Sequence, residues 1–152
     1  MDNPFIDRLR DIVLSVAHKL RWLPPTLARL TLGVVFIGTG WGKLHNLDKV
    51  IGFFMDLGIP AARFQAPFVS ATELVCGSLI LVGLFARLAA LPLIVSMTVA
   101  ILTAKLKEIT GISDLFGTEE YLYILLLIGL FVYGAGPFSL DRFLCKRCAG
   151  IE

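Results

Sequence analysis

The chain has 152 residues, of which 57% are hydrophobic and 17% charged, with a mean hydropathy of +0.81 and a formal net charge of +2. That length fits one domain, and the apolar share exceeds the roughly 45–50% of soluble domains, so lipid is the expected solvent for much of its surface. The net charge is small and the basic residues are scattered between apolar runs, which argues against a nucleic-acid partner, and three cysteines are too few for a disulfide framework.

Residues 1–23 form the first unit. Asn3-Pro4 can start a helix in which Phe5, Leu9, Ile12, Val13, Val16 and Leu20 recur at helical spacing, opposite Arg8, Asp11, Ser15 and Lys19. Asp2, Asp7 and Asp11 mixed with Arg8 and Arg10 do not read as a secretory signal. An amphipathic helix lying in the membrane interface is expected; a soluble helix packed on loops is the plainer alternative.

Residues 24–144 form the membrane unit, with four runs that approach the roughly 20 residues a helix needs to cross a bilayer. The expected spans are about 26–44, 66–85, 88–104 and 119–136. Between the first two, "DKVIGFFMDLGIP" is too apolar for a free loop. It predicts a short helix in the outer interface, ended by Gly58 and Pro60. Pro92 falls near the start of the third span, where proline is tolerated. Thr118 can cap the fourth, with Glu119 and Glu120 facing the positive end of its dipole. Residues 145–152 form a tail. The fold class is thus all-α, an integral membrane four-helix bundle preceded by an amphipathic interfacial helix.

Four spans put both termini on one side. That side collects Arg8, Arg10, Lys19, Arg21, Arg29, Arg87, Arg142, Lys146 and Arg147, against Lys43, Lys49, Arg63, Lys105 and Lys107 on the other. The bias places both termini in the cytoplasm.

The second span, "APFVSATELVCGSLILVGLF", contains one charge, Glu73. A charge in a span costs several kcal/mol by insertion scales and normally faces protein or water beside a partner. Ser70 and Gly77, one turn to either side, are small and let another helix approach. Counted from Ala66, Glu73 lies about 10 Å along the helix axis, in the outer half. By depth its candidate partners are Lys43, Lys105, Tyr121 and Tyr123. Span one agrees: Arg29, Gly33, Phe36, Gly40 and Lys43 fall within about 40° of one line. Gly38 and Gly42 make a small-residue pair on an adjacent face. Two readings of Glu73 stay open: a buried ion pair fixing helix register, or a ligand or proton site suited to a quinone head group or a proton-coupled solute. At the cytoplasmic ends, Arg29, Arg87 and Asp141 are expected to form structural ion pairs.

Cys145 and Cys148 make a CxxC in the tail, a candidate redox or metal pair, but no second ligand pair completes a zinc site, so no metal is expected. His18 and His45 lie outside the spans, which argues against an intramembrane bis-histidine haem. No P-loop, dinucleotide fingerprint or nucleophile elbow is present, and no catalytic residue is assigned.

"ARLTLGVVFIGTGWGKL", "FFMDLGIP", "ATELVCGSLILVGLFARLAALPL" and "GPFSLDRFL" together resemble the DoxX family of small four-span bacterial membrane proteins. The resemblance covers about residues 26–144. It is carried by Arg29, Gly33, Gly40, Lys43, Gly58, Pro60, Glu73, Gly77, Gly83, Arg87, Pro137, Leu140 and Asp141. It implies a four-helix bundle in the bacterial inner membrane, similar to the DoxD-type subunit of thiosulfate:quinone oxidoreductases. The expected function is a redox-associated membrane subunit that is not an autonomous enzyme. It would bind a quinone or lipid-like ligand near Glu73, carry no covalent cofactor, and act with a protein partner or a second copy in the lipid bilayer. A non-catalytic scaffold and a small transporter are the alternatives.

Overall fold

A computed structural model describes residues 4–106, 109, 111–136 and 139–141. Among these the chain is helical, with no strand. In order the helices are α1 (Pro4–Lys19), α2 (Leu23–His45), α3 (Leu47–Asp56), α4 (Ala62–Val82), α5 (Ala86–Ala100) with a π-helical continuation (Ile101–Lys105), α6 (Ile112–Phe116) and α7 (Glu119–Tyr133).

Three of these segments are long and apolar enough to cross a membrane: Leu23–His45, Ala62–Val82 and Ala86–Lys105. At 15 residues, α7 is shorter than the expected fourth span. Its helix stops before Gly134, whose φ of 78° leaves the right-handed region, and Gly136 follows at φ 81°. Helix α2 packs mainly on α4 and α5 mainly on α7, while α4–α5 and α2–α7 contacts close the ring and α3 rests on α4. Leu32 and Phe36 of α2, Ile80 of α4, Ala90 and Leu93 of α5, and Leu127 and Leu130 of α7 meet in the core.

The outside of the ring is as apolar as the inside. Phe64, Phe68, Val75, Leu88, Val95, Leu102 and Val132 are all exposed, a surface that water would not tolerate and acyl chains would. Hydroxyls on these helices bond within their own helix. Ser70 donates to the Ala66 carbonyl, Thr72 to Phe68, Ser78 to Leu74, Thr98 to Ile94 and Thr103 to Val99, all at 2.7–2.8 Å. This lets a polar residue sit in lipid without an orphaned hydrogen.

Two expectations need correction. Helix α4 begins at Ala62, four residues earlier than Ala66, so Glu73 stands near the midpoint of the helix, eleven residues from Ala62 and nine from Val82. Pro92 is the seventh residue of α5, inside the helix and past its first turn. A short helix does follow span one, α3, with Gly58 at φ 72° just beyond its end. Helix α6 and the π segment had no clear sequence signal.

Candidate functional site

Two helices build the site, and their glycines set the distance between them. A Cβ on Gly33 would come within 2.6 Å of the Leu81 Cβ, one on Gly40 within 2.6 Å of the Leu74 nitrogen, and one on Gly77 within 2.8 Å of the Phe36 Cβ. Gly33 and Gly40 stand two turns apart on α2, and Gly77 answers from α4. In lipid, helices have no hydrophobic drive to associate, so such close backbone contact is the main source of attraction. The expected pair Gly38 and Gly42 is not part of this seam: both are exposed, with nothing within 4 Å of a Cβ on either.

Along the same seam Lys43 reaches Glu73. Its Nζ donates to Oε1 at 2.6 Å and to Oε2 at 2.7 Å. Among the described residues, these are the hydrogen bonds that the carboxylate accepts. The two partners differ in exposure: the Glu73 side chain is 1% exposed and that of Lys43 34%. The carboxylate is sealed between α2 and α4, while part of the lysine side chain stays accessible. Ser70 is fully buried one turn before Glu73, and Cys76 is buried one turn after it.

The other three candidates lie elsewhere. Lys105 lines an open depression of about 550 Å³ with Ile109, Asp114, Gly117, Thr118, Glu119 and Glu120, to which neither α2 nor α4 contributes a described residue. The π-helical turn explains this in part: its wider winding re-aims the residues after Ile101, so Lys105 does not follow the register of α5. Tyr121 packs its ring 5.1 Å from Phe116 at the α6–α7 corner. Tyr123 sets its ring edge-on to Phe36 at 5.9 Å. Tyr123 therefore touches the α2–α4 seam through Phe36, one layer away from the ion pair.

At the opposite end, the clamp that the structure describes runs through the backbone. Asp141 accepts from the Phe85 N–H at 2.8 Å and the Ala86 N–H at 3.4 Å, and its own N–H donates to the Gly83 carbonyl at 3.1 Å. Gly83, at φ 76°, ends α4 in a Schellman motif, with the Leu84 N–H on the Leu79 carbonyl at 2.9 Å. Phe85 also has positive φ, 48°, and Asp141 holds this strained residue at the start of α5. Buried Arg29 donates from Nη1 to the Ala135 carbonyl, and Arg87 from Nη2 to the Val132 carbonyl, each at 3.4 Å. The described bonds of these three residues, expected as side-chain ion pairs, go to main-chain groups: Arg29 and Asp141 join the chain after α7 to α2 and to the α4–α5 turn, and Arg87 joins α5 to the last turn of α7. Cys145 and Cys148 lie outside the described residues. Thr118 caps α7 as expected, accepting from the Tyr121 N–H at 3.4 Å.

A family model described as DoxX matches residues 25–106, the segment that carries α2 to α5 and both members of the ion pair. The chain is 38% identical over 137 residues to "Uncharacterized membrane protein Rv3486" of Mycobacterium tuberculosis, covering 82% of this chain and 84% of that protein. It is 33% identical over 122 residues to "Putative oxidoreductase CatD" of Bacillus subtilis, covering 79% and 86%. It is 28% identical over 132 residues to "Inner membrane protein YqjF" of Escherichia coli, covering 85% and 98%. No solved structure matches the chain.

Proposed function

The chain belongs to the DoxX family, and from that premise we propose that it is a redox-associated membrane subunit that receives a quinone or similar lipid-soluble carbonyl ligand at Lys43 and Glu73 and works with a partner protein. The observation that carries this reading is the asymmetry of the pair. A purely structural ion pair gains most when both charges are packed and satisfied. Here the carboxylate is sealed, while a third of the lysine side chain stays accessible. An ammonium has three N–H donors, and two are spent on Glu73. The third remains for a carbonyl oxygen arriving from the lipid side, and the apolar outer surface of the bundle suits a hydrophobic ring and tail.

Each group then has a task. Lys43 donates to the ligand carbonyl and favours its reduced, more negative form. Glu73 keeps Lys43 charged and oriented, and the two protons that the quinone takes up on reduction come from water. Electrons come from the partner. The name of the Bacillus subtilis relative, an oxidoreductase by description, is in keeping with a redox setting. By the charge bias between the two sides, the chain lies in the inner membrane with both termini in the cytoplasm and with α7 as a fourth crossing.

A scaffold role has one observation in its favour, the glycine seam, which fixes α2 against α4 without any ligand. The transporter reading is weakened by the same seam: Phe36 against Gly77 and Gly33 against Leu81 fill the space between Glu73 and Arg29.

The test is a titration of the purified protein in detergent with a short-chain quinone, read by quenching of its tryptophans, for wild type, Lys43→Met and Glu73→Gln. Both variants should weaken binding by about tenfold or more, which corresponds to about 1.4 kcal/mol. Equal affinity in all three would remove the site.

A further inference from the structure

We propose that α1 lies flat on the bilayer surface and is held there by anionic lipid headgroups, so that it is a lipid-recognition element independent of the Lys43–Glu73 site. The first ground is its unpartnered face. Leu9, Ile12, Val13, Val16 and Leu20 are each 45–63% exposed, so the rest of the described chain does not cover them.

The second ground is the arrangement of charge around that face. At 100° per residue the five apolar positions span an arc of about 100°. Arg8 and Lys19 stand within about 40° of one edge, and Arg10 about 60° beyond the other. Asp11 and His18 stand on the far side, and Leu14 is the one apolar residue among them. Cations therefore border the apolar face and the acid points away from it. A helix in the interface needs this order: long basic side chains at the border reach headgroup phosphates while the apolar stripe enters the acyl boundary. A helix that packs on a protein surface has no need for cations on both borders.

The third ground is the tether. Helix α1 ends at Lys19 and the membrane-crossing α2 begins at Leu23. The Leu20 N–H bonds the Val16 carbonyl at 2.9 Å, and the Leu23 N–H bonds the Leu20 carbonyl at 2.9 Å, so the connection is a turn with little slack. Three residues reach at most about 10 Å. Wherever α2 enters the bilayer, the C-terminal end of α1 lies close to the headgroups. Trp22, exposed at the junction, suits the same depth. The partner nearest to hand is the membrane that α2 has already entered, and the basic borders select its anionic lipids.

The experiment uses the full chain in vesicles of phosphatidylethanolamine and phosphatidylglycerol. Cys145 and Cys148 are replaced by serine, buried Cys76 is left in place, and a nitroxide is attached in turn through Leu9→Cys, Asp11→Cys, Val13→Cys, Ser15→Cys, Val16→Cys and His18→Cys. Collision rates with oxygen, which partitions into lipid, and with a water-soluble nickel chelate give the depth of each label. At positions 9, 13 and 16 the oxygen-to-nickel ratio should exceed that at 11, 15 and 18 several-fold. The contrast should shrink in phosphatidylcholine vesicles and in the Arg8→Gln/Arg10→Gln/Lys19→Gln variant. Three results would each overturn the proposal: all six labels equally open to nickel, labels at 13 and 16 shielded from both agents as under a protein partner or a second copy, or a contrast indifferent to lipid charge.

Discussion

Lys43 holds both oxygens of the Glu73 carboxylate at 2.6 and 2.7 Å, from a side chain that begins one turn beyond Gly40 on the tightest line of contact between α2 and α4. Glycines at 33, 40 and 77 bring the two helices close, and the lysine on one then bridges both oxygens of a carboxylate sealed against the other.

The pair should show the asymmetry expected of a buried charge. Lys43→Met leaves Glu73 enclosed and uncompensated, at a cost of about 3–5 kcal/mol. Lys43→Met/Glu73→Leu removes both charges and should regain most of that loss. Thermal unfolding of the three proteins in one detergent measures the effect. A double variant no more stable than the lysine single variant would show that the charges are not coupled.

The seam makes a second prediction, with its own control. Gly40→Ala and Gly77→Ala each put a methyl group against backbone atoms, which cannot yield as a flexible side chain would. The expected cost is about 1–3 kcal/mol. Gly38→Ala and Gly42→Ala place theirs in open space, and should be neutral or stabilising by up to about 1 kcal/mol through helix propensity. The comparison is the midpoint of thermal unfolding across the four variants. Equal effects at all four positions would contradict the assignment of the seam.

Asp141 should behave as a helix cap. Asp141→Ala strips the Phe85 and Ala86 amides of their acceptor, at about 1–2 kcal/mol, and Asp141→Asn, which keeps a carbonyl oxygen, should cost less. Hydrogen exchange at those two amides reads the cap directly: exchange should quicken in the alanine variant. Unchanged protection there would mean that the turn is held by Gly83 and its neighbours alone.

How far these features could be read from sequence depends on what encodes them. Apolar run length and composition reveal the membrane helices, because the bilayer imposes both. Lys43 could be matched to Glu73 because the two lie at compatible depths on faces lined with small residues. Lys105 could be matched to Glu73 by depth alone, and depth does not say which way a side chain faces; the π-helical turn that carries it adds a change of winding. The role of Asp141 was hidden for another reason: its partners are backbone amides, which every residue carries, so no residue type marks them. The start of α4 was missed because Ala61, whose backbone adopts a left-handed conformation at φ 52°, precedes the helix without a usual capping residue. Gly38 and Gly42 show the limit of a spacing rule. A small-residue pair identifies a face that can pack closely, and only the fold decides whether a neighbour is there.

Membrane topology is a separate prediction. If α7 crosses with help from the residues that follow it, both termini share a side. Fusions of green fluorescent protein to the N-terminus and, separately, to the C-terminus should both fluoresce, since the fluorophore matures in the cytoplasm. A dark C-terminal fusion beside a bright N-terminal one would mean three crossings, with α7 lying along the bundle instead of through the bilayer.

The claim that matters most is that the third N–H of Lys43 meets a ligand carbonyl. Infrared difference spectroscopy of a quinone carrying ¹³C at one carbonyl, bound to the protein in lipid, reads that contact by itself. A hydrogen bond from a cation should lower the stretch of one carbonyl relative to the other, and Lys43→Met should return the two to near equality. A bound quinone with the same carbonyl spectrum in wild type and in Lys43→Met would contradict the account, whatever its affinity.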